Sequence, residues 1–280
     1  MTITRLGLAY NPTSEDASEL RERAAGWCRM RGVEHWAAPA GETATLVEHL
    51  PGTDVLVVLG GDGTFLRAAQ AVTEVDVPLL GINLGKVGFL SKAEAHELEA
   101  VLGQLEAGTF VVRGRMGLVA AILPAGRPVD TRFTALNDIV VARGSLARVV
   151  RLDVTIDESH LATFVADGLV VASPTGSTGY SFSAGGPILD PQSRNLVVTP
   201  IAGYLSSLRS IVVSPSQVVR ARVLDAHEAL VSIDGREDHR IEVGDVVEVR
   251  ALERPIRFVE PDGAMPFWDL LRTKVELLPS

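Results

Sequence analysis

Hydrophobic and polar positions along the first hundred residues predict strands and helices in alternation. Short aliphatic or β-branched runs predict strands, whereas longer stretches with apolar residues three and four positions apart predict helices. Alternating elements with short loops predict an α/β domain with a parallel sheet covered on both faces, spanning residues 1–108. Ser14 is expected to cap the first helix. The predicted strands are residues 3–10, 33–37, 55–59 and 78–82, and the predicted helices are residues 14–31, 43–49, 64–72 and 93–106.

From residue 109 the pattern changes to short strand-like runs separated by Gly, Pro, Asp and Asn. Residues 152–156 alternate with a period of two, and residues 157–160 are predicted to form their hairpin turn. Residues 109–258 are therefore predicted to form a β-rich domain, all-β and two-layered. Residues 266–274 look helical and predict a tail, residues 259–280, that packs back on the first domain. The predicted strands are residues 117–123, 138–142, 149–156, 161–165, 169–172, 196–199, 211–214, 218–224, 229–233 and 245–251.

Composition narrows the classes of function. The 280 residues carry a formal net charge of −9, which argues against a nucleic-acid or membrane-surface partner, since such partners need a basic face. A single cysteine, Cys28, excludes an intramolecular disulfide and a cysteine-rich zinc site, and a buried thiol is expected. No stretch approaches the ~20 apolar residues of a membrane span, and residues 1–12 do not resemble a secretory signal. A cytoplasmic location is therefore expected.

The sequence GGDGT at residues 60–64 follows the buried run of residues 55–59 and precedes a predicted helix. Glycines permit a sharp turn and close approach of a ligand, and the N–H groups of a helix start favour a phosphate. A carboxylate beside phosphates is electrostatically unfavourable unless it takes a proton or shares a metal ion with them. Phosphoryl transfer to a hydroxyl needs both a proton acceptor and a metal ion. Asp62 is therefore the candidate catalytic residue.

A second glycine-rich loop, residues 81–90, follows the next predicted strand and leaves the same carboxyl edge of the sheet. Ligands of open α/β sheets bind at that edge. Lys86 offers a cation for phosphates, and Phe89 offers either a face for a base or a core side chain. The residues expected to contact phosphates are Gly61, Gly63, Thr64 and Lys86.

Polar clusters in the second half suit a ribose. Asn137 and Asp138 open a predicted strand, and an amide beside a carboxylate can bind both hydroxyls of a ribose, although a strand-edge turn would use the same pair. Residues 173–186 place Ser and Thr hydroxyls and glycines around Tyr180, which suits an anion or a ribose. Arg236 lies at a predicted hairpin tip, where most arginines are solvated.

In this order, the GGDGT, Asn-Asp and DG…SPTGSTGYS motifs resemble those of the NAD kinase family, from about residue 55 to residue 237. That family transfers the γ-phosphoryl group of ATP, or in some members of polyphosphate, to the 2′-hydroxyl of the adenosine ribose of NAD. The resemblance implies an α/β amino-terminal domain, a β-rich carboxy-terminal domain, and Asp62 as the proton acceptor. It also implies Mg²⁺ or another divalent metal without a direct protein ligand, and a homodimer or homotetramer whose neighbouring subunit completes the dinucleotide site.

The residues expected to contact NAD, most of them by this resemblance, form one longer set. They are Asp62, Gly63, Arg67, Phe89, Asn137, Asp138, Arg148, Val165, Asp167, Thr178, Gly179, Tyr180, Ser181, Ser183 and Arg236.

Three positions depart from common family patterns. Asp138 stands where many bacterial members have Glu, which shortens its reach by one methylene. Tyr204 replaces a usual histidine, which puts a contact from that side in doubt. Val165 stands where members strictly specific for NAD and ATP carry arginine, and this favours broader use, with NADH or polyphosphate also accepted.

Two rival interpretations stay open at the level of sequence. Lipid kinases and sugar-phosphate kinases share a GGDG-like turn. A lipid kinase would need an apolar cleft, which does not stand out in this sequence, and a sugar-phosphate kinase would need more arginines near the turn than are present. A non-catalytic dinucleotide sensor would keep the pocket, although the retention of Asp62 weighs against it. An unperturbed aspartate, with a pKa near ~3.9, is a weak base at neutral pH, so proton transfer is expected late in a loose transition state.

Overall fold

The computed structural model describes residues 3–85, 88–126, 131–145, 148–204 and 208–276. It divides into two compact units, one formed by Met1–Gly114 with Ile256–Ser280 and the other by Arg115–Pro255. The first unit therefore includes residues 109–114 and 256–258, which the sequence pattern places in the β-rich domain.

The strands are numbered in chain order. The first ten are β1 (Arg5–Tyr10), β2 (Glu34–Pro39), β3 (Val55–Leu59), β4 (Leu79–Asn83), β5 (Ala93–Glu94), β6 (Phe110–Arg115), β7 (Leu118–Leu123), β8 (Thr131–Ala135), β9 (Asp138–Arg143) and β10 (Val150–Ile156). The others are β11 (Ser159–Ala166), β12 (Gly168–Ala172), β13 (Leu196–Ile201), β14 (Ile211–Val213), β15 (Val219–Asp225), β16 (Ala229–Ile233), β17 (Glu237–Ile241), β18 (Val246–Ala251) and β19 (Ile256–Pro261).

The helices are fewer and lie mostly in the first unit. They are α1 (Glu15–Arg31), α2 (Thr43–His49), α3 (Asp62–Glu74), α4 (Leu98–Ala107), α5 (Tyr180–Ser183) and α6 (Phe267–Glu276), with short 3₁₀ turns at Ala95–Glu97 and Gly176–Thr178.

The first unit is built on one sheet in the order β2-β1-β3-β4-β19-β6, with β5 beside β4. Its pairs β1/β2, β1/β3, β3/β4 and β4/β19 are parallel. Every residue of β3 is buried, as expected for a strand covered on both faces. The predicted α/β fold with a parallel sheet is thus confirmed.

Local sequence signals set the bounds of α1. The Ser14 hydroxyl accepts the Ala17 N–H at 3.2 Å, and Gly32 ends the helix in the left-handed conformation at φ 69°. A serine cap and a glycine after the last turn satisfy backbone groups that a helix leaves unpaired at its ends. The predicted helix and its cap are confirmed.

The stretch predicted as one helix over residues 93–106 is divided in the structure. Ala93–Glu94 pairs with β4, and a 3₁₀ turn precedes α4. The Glu94 and Glu97 side chains form a reciprocal capping box, which fixes a chain entry where the pattern suggests continuous helix. The prediction of helix over residues 93–97 was therefore wrong.

The second unit contains two antiparallel sheets, in the orders β11-β10-β15-β18-β7-β8 and β14-β13-β12-β9-β16-β17. One hydrophobic core draws on both sheets, with Leu152 and Val247 from the first and Ile139 and Val231 from the second. The predicted all-β, two-layer fold is confirmed. The predicted hairpin after β10 is also present, with Asp157 at φ 53° in its turn.

Candidate active site

Asp62 is the first residue of α3, directly after the turn that leaves the buried strand β3. Gly60 has φ 155°, and a Cβ there would lie 2.6 Å from the Thr64 Oγ1. The tight turn thus requires glycine at this position. It brings the Asp62 carboxylate to a helix start, where unpaired N–H groups and the helix dipole favour negative charge.

The second glycine-rich loop holds the Asp62 carboxylate. Its oxygens accept the N–H groups of Phe89 at 3.2 Å and Leu90 at 3.4 Å. A Cβ on Gly88 would overlap the same carboxylate. Ser91, which is buried, accepts the Gly88 N–H at 2.8 Å and so fixes the loop from behind. The two loops predicted to share one edge of the sheet therefore meet at Asp62.

The surroundings of Asp62 change its acidity. Burial raises the pKa of Asp62 above its ordinary value, and the N–H groups of Leu90 and Phe89 and the charge of Lys274 oppose that rise. A carboxylate with a raised pKa is a stronger base at neutral pH than an ordinary aspartate. The premise of an unperturbed Asp62 is therefore corrected: burial raises the pKa of this carboxyl group.

The other residues predicted in the first unit lie in varied positions. Thr64 is buried under the turn, Arg67 is exposed on α3, and Phe89 is half-buried with its ring centre 6.1 Å from that of Phe267. Lys86 lies outside the described residues. Gly61 precedes α3 and Gly63 lies in its first turn.

In the second unit, Asp234 organises the turn that carries Asn137 and Asp138. Its carboxylate accepts the N–H groups of Leu136 at 3.0 Å, Asn137 at 2.7 Å and Asp138 at 3.2 Å. In return, the Asp234 N–H donates to the Asp138 carbonyl at 3.0 Å. Asp234 adopts φ 50°, and Arg236 approaches its carboxylate at 3.8 Å. Sequence reasoning noted Arg236 at this hairpin but missed Asp234.

Asp138 is 5% exposed. Burial, reinforced by the charge of Asp234, raises the pKa of Asp138 to about 7. Burial also raises the pKa of Asp234, but there three backbone N–H groups and Arg236 act in the opposite direction. The negative charge of this pair is therefore better accommodated on Asp234.

The serine- and glycine-rich run packs directly on the same turn. Ser173 donates its N–H to the Asn137 carbonyl at 2.8 Å and its hydroxyl to the Leu136 carbonyl at 2.5 Å. A Cβ on Gly176 would overlap the Asn137 backbone. Within the described part of the chain, the buried Asn137 Oδ1 and Thr175 Oγ1 have no hydrogen-bond partner. Buried polar atoms without partners are typical of a site that a ligand or water completes.

The remaining predicted residues of the second unit differ in exposure. Tyr180 and Ser183 are exposed, whereas Ser181 is buried with its hydroxyl 3.4 Å from that of Thr199. The Asp167 carboxylate accepts the Arg143 Nε at 2.7 Å, a partner that the sequence did not suggest. Arg148 is exposed, Thr178 and Gly179 are half-buried, and the Tyr204 N–H donates to the Val165 carbonyl at 2.7 Å.

Among the described residues, no group of three or more His, Cys, Asp or Glu side chains could hold a metal ion. No helix in the same ranges is long and apolar enough to cross a membrane. Cys28 is a buried free thiol, as predicted.

A carboxylate fixed at a glycine-rich helix start, in an α/β unit joined to an antiparallel β unit with a polar turn, defines a phosphotransferase of nucleotide-binding type. Residues 4–110 match the ATP-NAD kinase N-terminal domain, and residues 136–261 match the ATP-NAD kinase C-terminal domain. The chain therefore belongs to the NAD kinase family, and the resemblance inferred from its motifs is confirmed.

Individual relatives agree with this assignment over nearly the whole chain. The chain is 36% identical to an NAD kinase of Syntrophotalea carbinolica, over 98% of each protein. It is 37% identical to an NAD kinase of Chloroflexus aurantiacus, over 96% of this chain and 97% of the relative.

Two solved structures share the fold. The yeast NADH kinase complexed with NADH superposes with a TM-score of 0.86 at 26% identity, covering 99% of this chain and 88% of that chain. An NAD kinase from Archaeoglobus fulgidus in complex with ATP gives a TM-score of 0.79 at 26% identity, over 98% and 100%. The prediction of an NAD kinase is confirmed by the family match and the curated relatives.

Proposed function

We propose that this protein transfers the γ-phosphoryl group of ATP to the 2′-hydroxyl of the adenosine ribose of NAD, giving NADP and ADP. The observation that carries the proposal is the Asp62 carboxylate, which two backbone N–H groups of a second loop fix at the start of α3. Membership of the NAD kinase family supports the choice of NAD as acceptor and ATP as donor.

In the reaction, the 2′-oxygen forms a bond to the γ-phosphorus while the bond from that phosphorus to the bridging oxygen of ADP breaks. Asp62 takes the hydroxyl proton as the new bond forms. Its raised pKa makes the late transfer of this proton to the carboxylate more favourable. The N–H groups of its loop partners keep the carboxylate oriented, and positioning of this kind is a large part of phosphoryl-transfer catalysis.

Phosphate binding is assigned to the start of α3. Gly61, Gly63 and Thr64 surround Asp62 there, and the helix start favours anionic oxygens. Lys86 remains a proposed phosphate contact outside the described residues.

Dinucleotide binding is assigned mainly to the second unit. Asn137 and Asp138 meet a ribose diol, supported by the partnerless Asn137 Oδ1. The run from Thr178 to Ser183 is assigned further contacts; in its support, Ser173 donates its N–H to the Asn137 carbonyl, and a Cβ on Gly179 would lie 4.0 Å from the Asp138 Oδ2. Further proposed NAD contacts are Arg67, Phe89, Arg148, Val165, Asp167 and Arg236.

Mg²⁺ is proposed to arrive with the phosphoryl donor. The resemblance implies an ion without a direct protein ligand, and Mg²⁺ commonly binds through substrate phosphates and water. When bound, it neutralises charge on the phosphoryl oxygens. Asp62 is the carboxylate that we place beside the phosphoryl group during its transfer.

A cytoplasmic location and a homodimer or homotetramer belong to the same proposal. A single, buried, unpaired thiol fits a reducing compartment. The resemblance supplies the expectation of an oligomer, and sedimentation at several protein concentrations would test it.

The direct test is to incubate the protein with NAD, ATP and Mg²⁺ and to measure NADP. Formation of NADP with release of ADP is expected. Tight binding of NAD without any product, whatever the donor, would favour a dinucleotide sensor instead. Phosphorylation of a lipid or a sugar phosphate in place of NAD would favour the rival kinases.

Substrate range needs a matrix of initial rates with NAD and NADH against ATP and polyphosphate. We expect NADH and polyphosphate to be used as well as NAD and ATP, because Val165 leaves a small apolar side chain two residues before Asp167. Replacement of Val165 by arginine is expected to narrow the range. A chain that uses NAD and ATP alone would remove this expectation.

A further inference from the structure

The carboxylate of Asp234 has three backbone N–H partners and all belong to one turn. These are the N–H groups of Leu136, Asn137 and Asp138, at 3.0, 2.7 and 3.2 Å. A carboxylate bonded by several N–H groups is strongly stabilised as an anion. The turn with the proposed ribose contacts is thus built around a buried negative charge that lies 96 to 98 positions later in the chain.

Asp138 has the opposite surroundings. It is buried beside Asp234, and its carboxyl group has neither a cation nor an N–H partner among the described residues. The charged groups facing it come from the hairpin of β16 and β17, namely Asp234 and, through that residue, Arg236. From the serine- and glycine-rich run, Gly179 lies close by, since a Cβ there would be 4.0 Å from the Asp138 Oδ2.

Two adjacent buried carboxyl groups do not both ionise at low cost. Because the N–H partners stabilise the ionised form of Asp234, Asp234 is expected to carry the negative charge and Asp138 the proton. A carboxylic acid differs from a carboxylate in having an O–H to donate. A neutral donor also avoids adding a second anion close to the pyrophosphate of a dinucleotide.

We propose that Asp234 is a positioning residue that fixes the turn at residues 136–138 and keeps Asp138 in its neutral form, so that Asp138 donates a hydrogen bond to a ribose hydroxyl of NAD. This inference rests on the proposed function, because it takes NAD as the ligand. It adds the protonation state of the ribose contact and the residue that sets it.

The test measures NAD binding by calorimetry without any phosphoryl donor, below and above pH 7. In the wild-type protein the affinity is expected to fall by about tenfold per pH unit once Asp138 ionises, because the bound form keeps its proton. Burial next to Asp234 places the pKa of Asp138 at about 7, so the fall should begin there. Asp138→Asn keeps a donor at the same place, so its affinity should stay within about threefold of the low-pH wild-type value and show no such fall.

The positioning role is tested with Asp234→Asn against a matched control. The variant should move the onset of the pH dependence to lower pH and raise the KM for NAD more than it lowers kcat. The control is Asp245→Asn, since Asp245 is also buried in this unit and accepts the N–H groups of Ala125 at 2.8 Å and Glu242 at 2.9 Å. It should lower stability but leave the pH dependence of NAD binding unchanged.

The inference is overturned if wild-type affinity for NAD is flat across pH 7, or if Asp138→Asn loses the affinity that the wild type has at low pH. If Asp234→Asn does not fold, the Asp138→Asn comparison still decides. Formation of NADP with pH-independent NAD binding would reject this inference alone. Binding that weakens with pH, without NADP from any donor, would reject the proposed function alone.

Discussion

Each of the two units holds a carboxyl group close to glycine-containing segments, half-buried at Asp62 and buried at Asp138, but the two groups have opposite surroundings. In the first unit, Asp62 receives two N–H groups and the field of Lys274, which partly offset the cost of burial. In the second unit, Asp138 has a charged carboxylate beside it, which adds to the cost. We propose different roles for these two residues of the same type, Asp62 as an anionic base and Asp138 as a neutral donor.

A sequence motif shows which residue stands at a position, but the groups packed around that residue set the pKa of its carboxyl group. Asp62 follows β3 and Asp138 begins β9, and both have raised pKa values. Only the groups that come from elsewhere in the fold, N–H donors in one case and Asp234 in the other, separate an acceptor from a donor. Substitutions at the two aspartates and their neighbours therefore test whether the contrast is real and how large it is.

The largest effect is expected from Asp62→Asn. It removes the base while keeping the shape of the side chain, so turnover should fall by about 10²- to 10⁴-fold with NAD affinity retained. Single-turnover rates and NAD binding measure the two quantities separately.

The control for that variant is Asp54→Asn in the same unit. Asp54 accepts the N–H groups of Thr4 at 2.7 Å and Arg5 at 2.9 Å, so it resembles Asp62 in its hydrogen bonds but not in its position. Asp54→Asn should reduce stability and leave turnover per folded molecule unchanged. Near-wild-type turnover in Asp62→Asn would falsify the assignment of the base.

Gly88→Ala should have the next largest effect. Its Cβ would overlap the Asp62 carboxylate, so either the loop or the carboxylate must shift. A displacement of about 1 Å at a reacting group costs on the order of 10²-fold in rate. The kcat of the variant measures this loss.

Gly103→Ala in α4 is the matched control for that substitution. A Cβ there meets nothing within 4 Å, so the change should leave the rate unaffected and stabilise the helix by about 0.5–1 kcal/mol. Equal kcat values for Gly88→Ala and the wild type would mean that the close approach of the loop to Asp62 does not matter.

The pH dependence of stability gives a smaller, graded effect in the second unit. The pKa of Asp138 is about 7 in the folded protein, above its ordinary value of 3.8. Its contribution to the free energy of unfolding is therefore fully present below the ordinary pKa and is lost as the pH rises through the folded pKa. Between them the contribution falls by up to about 1.4 kcal/mol per pH unit. Urea unfolding of the wild type and of Asp138→Asn, compared over that window, should show this slope only in the wild type, and parallel curves would contradict it.

The smallest effect is expected at an ordinary ion pair of the second unit. Asp167 accepts the Nε and Nη2 of Arg143 at 2.7 and 3.3 Å, and its side chain is 39% exposed. Arg143→Lys loses the paired geometry, but a solvated pair contributes only about 0–1 kcal/mol. A change of less than about fivefold in the KM for NAD is expected. A much larger change would mean that Asp167 affects NAD binding more strongly than a solvated ion pair can, and would contradict this ranking.

Local features of the fold were predictable because their causes lie within a few residues. The cap at Ser14, the buried run of β3 and the hairpin at Asp157 each have a nearby backbone or pattern signal. β19 had no such signal: its place in the sheet comes from pairing Phe258 with Leu79 and from packing that ring 5.0 Å from Phe65. Contacts between positions so far apart in the chain cannot be read from periodicity.

The site divides in the same way. Asp62, Asn137 and Asp138 were predicted as site residues from their motifs, and these stay predictions. Asp234 was part of a predicted turn, and only the structure shows that its carboxylate accepts three N–H groups. The sequence by itself was enough to predict the fold class and the family, which are confirmed, and to propose the side chains that react. Only the tertiary structure shows that burial beside Asp234 raises the pKa of Asp138 to about 7, because a pKa depends on burial and on partners that folding brings together.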